Sequence, residues 1–365
     1  MKIECSVEKI KNAIYQTEKI TGKNLTLPVL NSILFIASKK SLKLRATNLS
    51  IGIEIEIPAK IEKEGIVAIT GTVLNAVFSN LSPNETVCLE ERSGNLLVKT
   101  KKSQITLKGQ PHEDFPTIPI VSGLNFEIDA KKLLEGIKSV YYSSSVSDIK
   151  PEISSVYIYT DADSLVFVST DSFRLAEKKI KIKGLDEILG IIIPFRNIVE
   201  ILRVFSETQG AVKVCFNKNQ ISFSSDHTYL TSRVIDGVFP DYRKIIPKDT
   251  STEVVVLKQD LFNALKLSNV FSDKFNQVNL RVSPKEKLFE LSSRANDIGE
   301  NKTELDAVLK GENIELGFNY KYFLGCFQAI TTDSVAVRMS GSGRPMVITP
   351  VSDVSFTYLI MPMNK

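Results

Sequence analysis

What most restricts the fold of this chain is an internal repeat of domain size. A strand-like run followed by an amphipathic segment occurs as IECSVEKIKNAI, FEIDAKKLLEGI and VVVLKQDLFNAL, with Ile10, Leu133 and Leu261 in the same place. Ala13, Gly136 and Ala264 follow three residues on, and Ile14, Ile137 and Leu265 four residues on. Each segment therefore presents one apolar stripe, and the small residue in its middle predicts a closely packed helix. An alternating pattern comes next in each third: SILFIASKKSLKLRATNLS, SVYIYTDADSLVFVSTDSF and VNLRVSPKEKLFELSSRAN, with Leu42, Leu165 and Leu288 recurring every 123 residues. Period-two alternation around a turn rich in Lys, Ser, Asp and Pro predicts strand, turn and strand, one sheet face buried and the other in water.

A second helix is predicted about thirty residues later, in TGTVLNAVFSNLS, PFRNIVEILRVFS and NYKYFLGCFQAIT, with Leu74, Ile198 and Phe323 aligned. More short strands complete each unit, as in NLLVKTKKSQITLKG, AVKVCFNKNQISFSS and SVAVRMSGSG. The segments EDFPTIPIV and GVFPDYRKIIP end the first two units, and their prolines cannot continue a sheet ladder. The expected architecture is α+β: three repeated domains, 1–122, 123–252 and 253–365, each with two helices packed on antiparallel sheets.

Enzyme chemistry finds little to work with. His112 and His227 are the only histidines, which excludes HExxH and most His-dependent triads, and no GxxxxGK[ST] loop is present. SGSGRP at 340–345 has alternating strand on both sides and reads as a hairpin loop. TDSFR with His227 could form an acid/base set, but nothing orients it. Cys5, Cys88, Cys215 and Cys326 form no CxxC pair, so buried free thiols are expected in place of a zinc or redox site. No catalytic residue, cofactor or metal is expected. No apolar run approaches the roughly 18 residues of a membrane span, and MKIECSVEKIKNA lacks a signal-like core, so a cytoplasmic protein is expected. A net charge of +4 is modest for a nucleic-acid-binding protein, so any contact with DNA must be local or weak.

Three successive units of this kind, together with TLPVL at 26–30, STDSFRLA at 169–176, DGVFPDYRKIIP at 236–247 and the terminal YLIMPMNK, resemble the bacterial DNA sliding clamps, the beta subunits of replicative polymerases. The likeness runs over the whole chain in order and phase. It implies a ring-forming head-to-tail homodimer around double-stranded DNA, bound without sequence specificity. It also implies partners that dock through short linear peptides: the replicative DNA polymerase, the clamp loader and repair proteins. Ring opening would fall to an ATP-driven loader, since this chain has no nucleotide motif.

The resemblance further implies site residues. A partner-peptide pocket would draw on Ile153, Thr170, Ser172, Phe173, Arg174 and Leu175, on Pro240, Lys244 and Ile245, and on Val335 and Val337. The tail would add Leu359, Ile360, Met361, Pro362 and Met363. Flexible Met side chains suit several peptides, while Arg174 and Lys244 can hold a rim or a carboxylate. Without the likeness, LIM would read simply as a last strand and Leu175 as core. Ser172 and Phe173 stand where the family often has Gly-His, and MPMNK departs from the usual basic-then-apolar close, so Asn364 and Lys365 are assigned no contact.

The expected DNA-facing positions are Lys11 in the first unit, Lys131, Lys132, Lys138, Arg196 and Arg203 in the second, and Lys266 and Lys321 in the third. Lys9, Lys19 and Lys258 share the same polar faces, and Lys23, Asn24, Ser147 and Lys150 match loop positions that approach DNA in the family. Any one lysine on such a face is more often merely solvated, and Glu8, Glu18, Glu135 and Glu200 dilute the charge, so the pattern carries the reading. The subunit interface is expected to set Ile105 and Leu107 opposite Val270 and Phe271, although QITLKG also fits an ordinary half-buried strand. Two other classes remain open: an open repeat-built scaffold that never closes around DNA, and a hydrolase or transferase using Asp171 and Arg174.

Overall fold

The computed structural model describes residues 1–22, 26–39, 41–147, 149–182 and 190–363. Each third contributes two helices: α1 (Val7–Glu18) and α2 (Gly71–Ser79), α3 (Ala130–Lys138) and α4 (Phe195–Phe205), α5 (Lys258–Val270) and α6 (Tyr320–Cys326). The apolar stripes are the buried faces: Ile10, Ala13 and Ile14 on α1, and Leu261, Ala264 and Leu265 on α5. The small residue mid-stripe has a visible cause on α3, where a Cβ at Gly136 would lie 2.4 Å from the Phe167 ring. Thr17 can sit in the α1 stripe because its hydroxyl donates to the Ala13 carbonyl at 2.8 Å.

Strand pairing follows one rule. The third strand after the first helix of each repeat is Ile51–Pro58, Arg174–Lys181 or Gly299–Glu304. The third strand after the second helix is Gln104–Leu107, Thr228–Arg233 or Phe356–Ile360. Ile51–Pro58 pairs antiparallel with Thr228–Arg233 of the next repeat, Leu230 lying opposite Ile53. Arg174–Lys181 likewise pairs with Phe356–Ile360, Leu175 lying opposite Leu359. Two nine-stranded sheets result, each crossing a repeat boundary. The rule leaves two strands over: among the described residues, Gln104–Leu107 and Gly299–Glu304 each end a smaller sheet without an outer neighbour. Accordingly the compact units of the chain do not coincide with the repeats. One comprises Met1–Lys131 with Val199–Asp236, the other Lys132–Ile198 with Gly237–Lys365.

The expectation of a wet outer face fails in the middle repeat, where every residue of Ser164–Thr170 is buried. The segment after Gly237 covers that face. Phe239 stacks on Tyr157 with centroids 4.8 Å apart, and Tyr157 on Tyr159 at 5.0 Å. A chain of donors then runs from Arg243 to the Tyr159 hydroxyl at 2.9 Å, from Tyr159 to Tyr242 at 2.6 Å, and from Tyr242 to the buried Glu177 carboxylate. The proline-rich segment is thus a structural cover as well as a connection. Of the four free thiols, Cys5 and Cys326 are buried and Cys88 and Cys215 half-buried. Burial pushes the Cys5 thiol up to about 12 and raises Cys326 as well, which keeps both inert.

Candidate functional site

The tail of the chain is built onto a tight turn. In Thr170–Arg174 the Thr170 hydroxyl donates to the Arg174 carbonyl at 2.7 Å and accepts the Ser172 N–H at 3.1 Å. One Asp171 oxygen accepts the N–H groups of Phe173 and Arg174, both at 3.0 Å. Ser172 lies at φ 77°, a left-handed conformation that suits glycine and carries strain for serine. The turn lifts Phe173 out, 58% exposed, to stack on Tyr322 with centroids 6.3 Å apart. The Arg174 guanidinium lies over the Tyr322 ring, 4.8 Å from its centroid, and pairs with Asp171 at 2.9 Å. Burial works against the Arg174 charge, but Tyr358 and Asp171 outweigh it and hold the guanidinium above its ordinary value.

The last residues close onto this turn. The Met361 N–H donates to the Phe173 carbonyl and the Met363 N–H to the Gly317 carbonyl, each at 2.8 Å. Met361, Pro362 and Met363 stay half-buried, and the paired Leu175 and Leu359 are almost wholly covered. Ile153 sits half-buried in a loop whose Glu152 lies against Gly237, at the start of the segment carrying Pro240, Lys244 and Ile245. Those three are exposed, and Lys244 pairs with Asp241 at 2.8 Å.

Three of the expected pocket residues are fully covered in the single chain. Val335 and Val337 have no exposed surface, and neither has Ile360. Val337 pairs with Ile348, itself opposite Tyr358, so both valines point to the face of the sheet that carries Tyr358. Alternation in SVAVRM identified the strand but not which side met solvent. Sequence reading also missed Tyr322, because the apolar stripe of α6 runs through Phe323 and leaves the tyrosine looking like an ordinary surface residue.

The same turn recurs 123 residues earlier, in the other unit. The Thr47 hydroxyl donates to the Ile51 carbonyl at 2.9 Å and accepts Leu49 N–H at 3.1 Å, while Asn48 Oδ1 accepts from Ser50 and Ile51 at 3.0 Å. Leu49 has φ 73°, and Arg233 N–H donates to the Ser50 carbonyl at 2.8 Å. The lining differs: Gly52 and Thr231 stand where the tail turn has Leu175 and Leu359.

The basic residues divide. Lys131, Lys132, Lys138, Arg196, Lys266 and Lys321 are exposed, as are Ser147 and Lys150. Lys11 is half-buried and donates to the Ser79 carbonyl at the end of α2. Arg203 is a correction: its guanidinium donates to the Tyr15 and Gln16 carbonyls at 3.1 and 2.8 Å and pairs with Glu200 at 2.5 Å. It ties α4 to the end of α1 and is not presented for phosphate. Glu135 is held by Lys178 at 2.9 Å. Lys23 and Asn24 lie outside the described residues, as do Asn364 and Lys365. Among the described residues no cluster of His, Cys, Asp and Glu is placed to hold a metal, and no helix is long and apolar enough to cross a membrane.

At the free edges, Ile105 lines a cleft of about 580 Å³ with Val73 and Val77 of α2. Leu107 is buried opposite Leu96 in its own sheet. Val270 is 57% exposed at the end of α5, and the Phe271 ring lies 3.7 Å from the position a Cβ would take on Gly299, where the unpaired strand begins.

Repeated αβ units fused through shared sheets, with the chain tail hydrogen-bonded onto the Thr170–Arg174 turn, place this chain among proteins built from one unit used three times. The chain belongs to the family of DNA polymerase III beta subunits. It matches the N-terminal domain of that subunit over residues 1–119, the central domain over 127–241 and the C-terminal domain over 243–364. The beta sliding clamp of Synechococcus elongatus is 26% identical over 372 residues, covering 100% of this chain and 99% of its own length. That of Staphylococcus epidermidis is 26% identical over 363 residues, covering 97% and 96%. The DNA polymerase sliding clamp of Bacillus subtilis has the same fold, with a TM-score of 0.95 at 23% identity over 100% of this chain and 99% of that one. A Pseudomonas aeruginosa sliding clamp bound to griselimycin gives 0.94 at 24% identity, with both chains fully covered.

Proposed function

We propose that the chain is a DNA sliding clamp: a head-to-tail homodimeric ring, made of domains 1–122, 123–252 and 253–365, that encloses duplex DNA in the cytoplasm and tethers other proteins to it. The observation that carries the ring is the pairing rule. Among the described residues, Gly299–Glu304 and Gln104–Leu107 are the counterparts of those paired strands that lack the corresponding neighbour. Pairing the two between copies repeats the contact made twice within the chain and leaves none of these edges open. Ile105, Val270 and Phe271 flank those strands and supply apolar contact.

The groove beside Phe173, Tyr322 and Met361–Met363 is the tether. It takes short linear peptides from the polymerase, the loader and repair proteins, and its methionines adapt to unlike sequences. Exposed lysines along the helices give weak, sequence-independent phosphate contacts. Enclosure retains the protein on DNA, so the modest charge is no obstacle to function. The chain performs no chemistry and needs no cofactor. After loading, retention on nicked circular DNA is expected to outlast retention on the same DNA linearised; equal loss from both overturns the reading.

A further inference from the structure

A concavity lies between α5 and α6, one wall of it being Gly325, where a Cβ would stand 3.2 Å from the Arg174 guanidinium. It measures about 560 Å³ and is lined by Phe262 and Gln259 of α5, by Lys321, Leu324 and Gly325 of α6, and by Phe327 beyond. Phe262 and Phe327 meet edge to face with centroids 5.4 Å apart. Lys266 places its ammonium 4.3 Å from the Phe262 ring centre, and Lys258 and Lys321 stand at the wall. Among the described residues no carboxylate lines the groove.

We propose that this groove binds an unpaired nucleotide, its base on the half-buried Phe262 ring, which the buried Phe327 backs edge to face, and its phosphate on Lys321 and Lys258. The walls are helical, so their backbone N–H and C=O groups are satisfied internally and offer no edge along which an extended peptide could zip. Recognition must come from side chains, and what these offer is aromatic surface ringed by cations, the combination that holds single-stranded nucleic acid without reading its sequence. The volume falls within the range of small-ligand pockets. The inference rests on the clamp reading only in bringing DNA to the face that carries Lys266 and Lys321. On that reading the groove would engage a base at a junction between duplex and single strand.

The test is anisotropy of a fluorescent single-stranded oligothymidylate with the full-length chain. Phe262→Leu is expected to weaken binding at least about five-fold, the lower end of the contribution of one stacked base. Lys321→Gln should reduce the slope of log affinity against log salt by about 0.7, one phosphate for a single strand. Both variants should keep the dimer mass and the affinity for a partner peptide. If Phe262→Leu binds the oligonucleotide as the parent does while Lys321→Gln weakens it, the face reads phosphates alone and the proposal fails. Preferential displacement of the oligonucleotide by an acidic aromatic peptide also overturns it. Failure of retention on nicked circles with Phe262-dependent oligonucleotide binding intact would count against the clamp reading and in favour of this site.

Discussion

Tyr242→Phe removes one oxygen from the donor chain that fixes the segment between the second and third repeats. In the parent protein that hydroxyl donates to Glu177, which is only 8% exposed, and accepts from Tyr159 at 2.6 Å. A hydrogen bond to a charged acceptor contributes about 1.5–3 kcal/mol, and the loss is largest when the partner stays buried and unsatisfied. The remaining cation near Glu177 is Lys179, at 3.9 Å and partly exposed, a weak substitute. Tyr242→Phe is therefore expected to cost about 3 kcal/mol in urea unfolding. In a double-mutant cycle with Glu177→Gln the coupling should be about 1.5 kcal/mol or more. Burial and then the Glu177 carboxylate raise the Tyr242 phenol above its ordinary value. Its contribution is therefore undiminished below the unfolded value near pH ~10 and falls as pH rises beyond it. Hydrogen exchange at 239–246 should accelerate in the variant, and affinity for a partner peptide should drop because Pro240 and Ile245 lose their support. A coupling energy below about 0.5 kcal/mol, the scatter of non-interacting pairs, would refute the reasoning.

Three further outcomes are expected. Val270→Asp places a charge at an exposed position beside the unpaired strand, so urea stability should hold while dimerisation, measured by sedimentation equilibrium, weakens about 100-fold or more, close to 3 kcal/mol. Deleting Met361–Lys365 removes the backbone bonds to Phe173 and Gly317; peptide binding by calorimetry should be lost with the dimer mass unchanged. Ser172→Gly relieves the left-handed strain at φ 77° and should raise unfolding stability by about 1 kcal/mol, whereas a loss would show that the turn is not strained.

The repeat was legible because helices and hairpins are local: a stripe around Ile10 or Leu261 and the alternation around Leu42 or Leu165 are set by residues a few positions apart. What could not be read was anything decided by distant pairing. Val335 and Val337 alternate as an edge strand would, yet lie between two neighbours in a nine-stranded sheet. Arg203 resembles any surface arginine until the end of α1 supplies two carbonyls for it. Tyr322 acquires meaning only when the turn lifts Phe173 against it. The free edges could not be seen either, because an unpaired strand has the same alternation as a paired one.

The turn at Thr47–Ile51 shows that the frame of the tail turn does not depend on the side chains lining it. A threonine hydroxyl, an Asn or Asp side-chain oxygen and a positive φ hold both turns alike, while Ser50 replaces Phe173 and Gly52, with Ile118 packed 3.3 Å from where its Cβ would be, replaces Leu175. Backbone and side chains have been decoupled: one polypeptide carries the same frame twice, once lined for ligand and once filled in by its own chain. For protein engineering this makes the first junction an unwritten copy. Emptying Ile118 and rewriting Ser50, Gly52 and Thr231 would place a second, independently programmable recognition surface on every protomer without disturbing the groove that evolved.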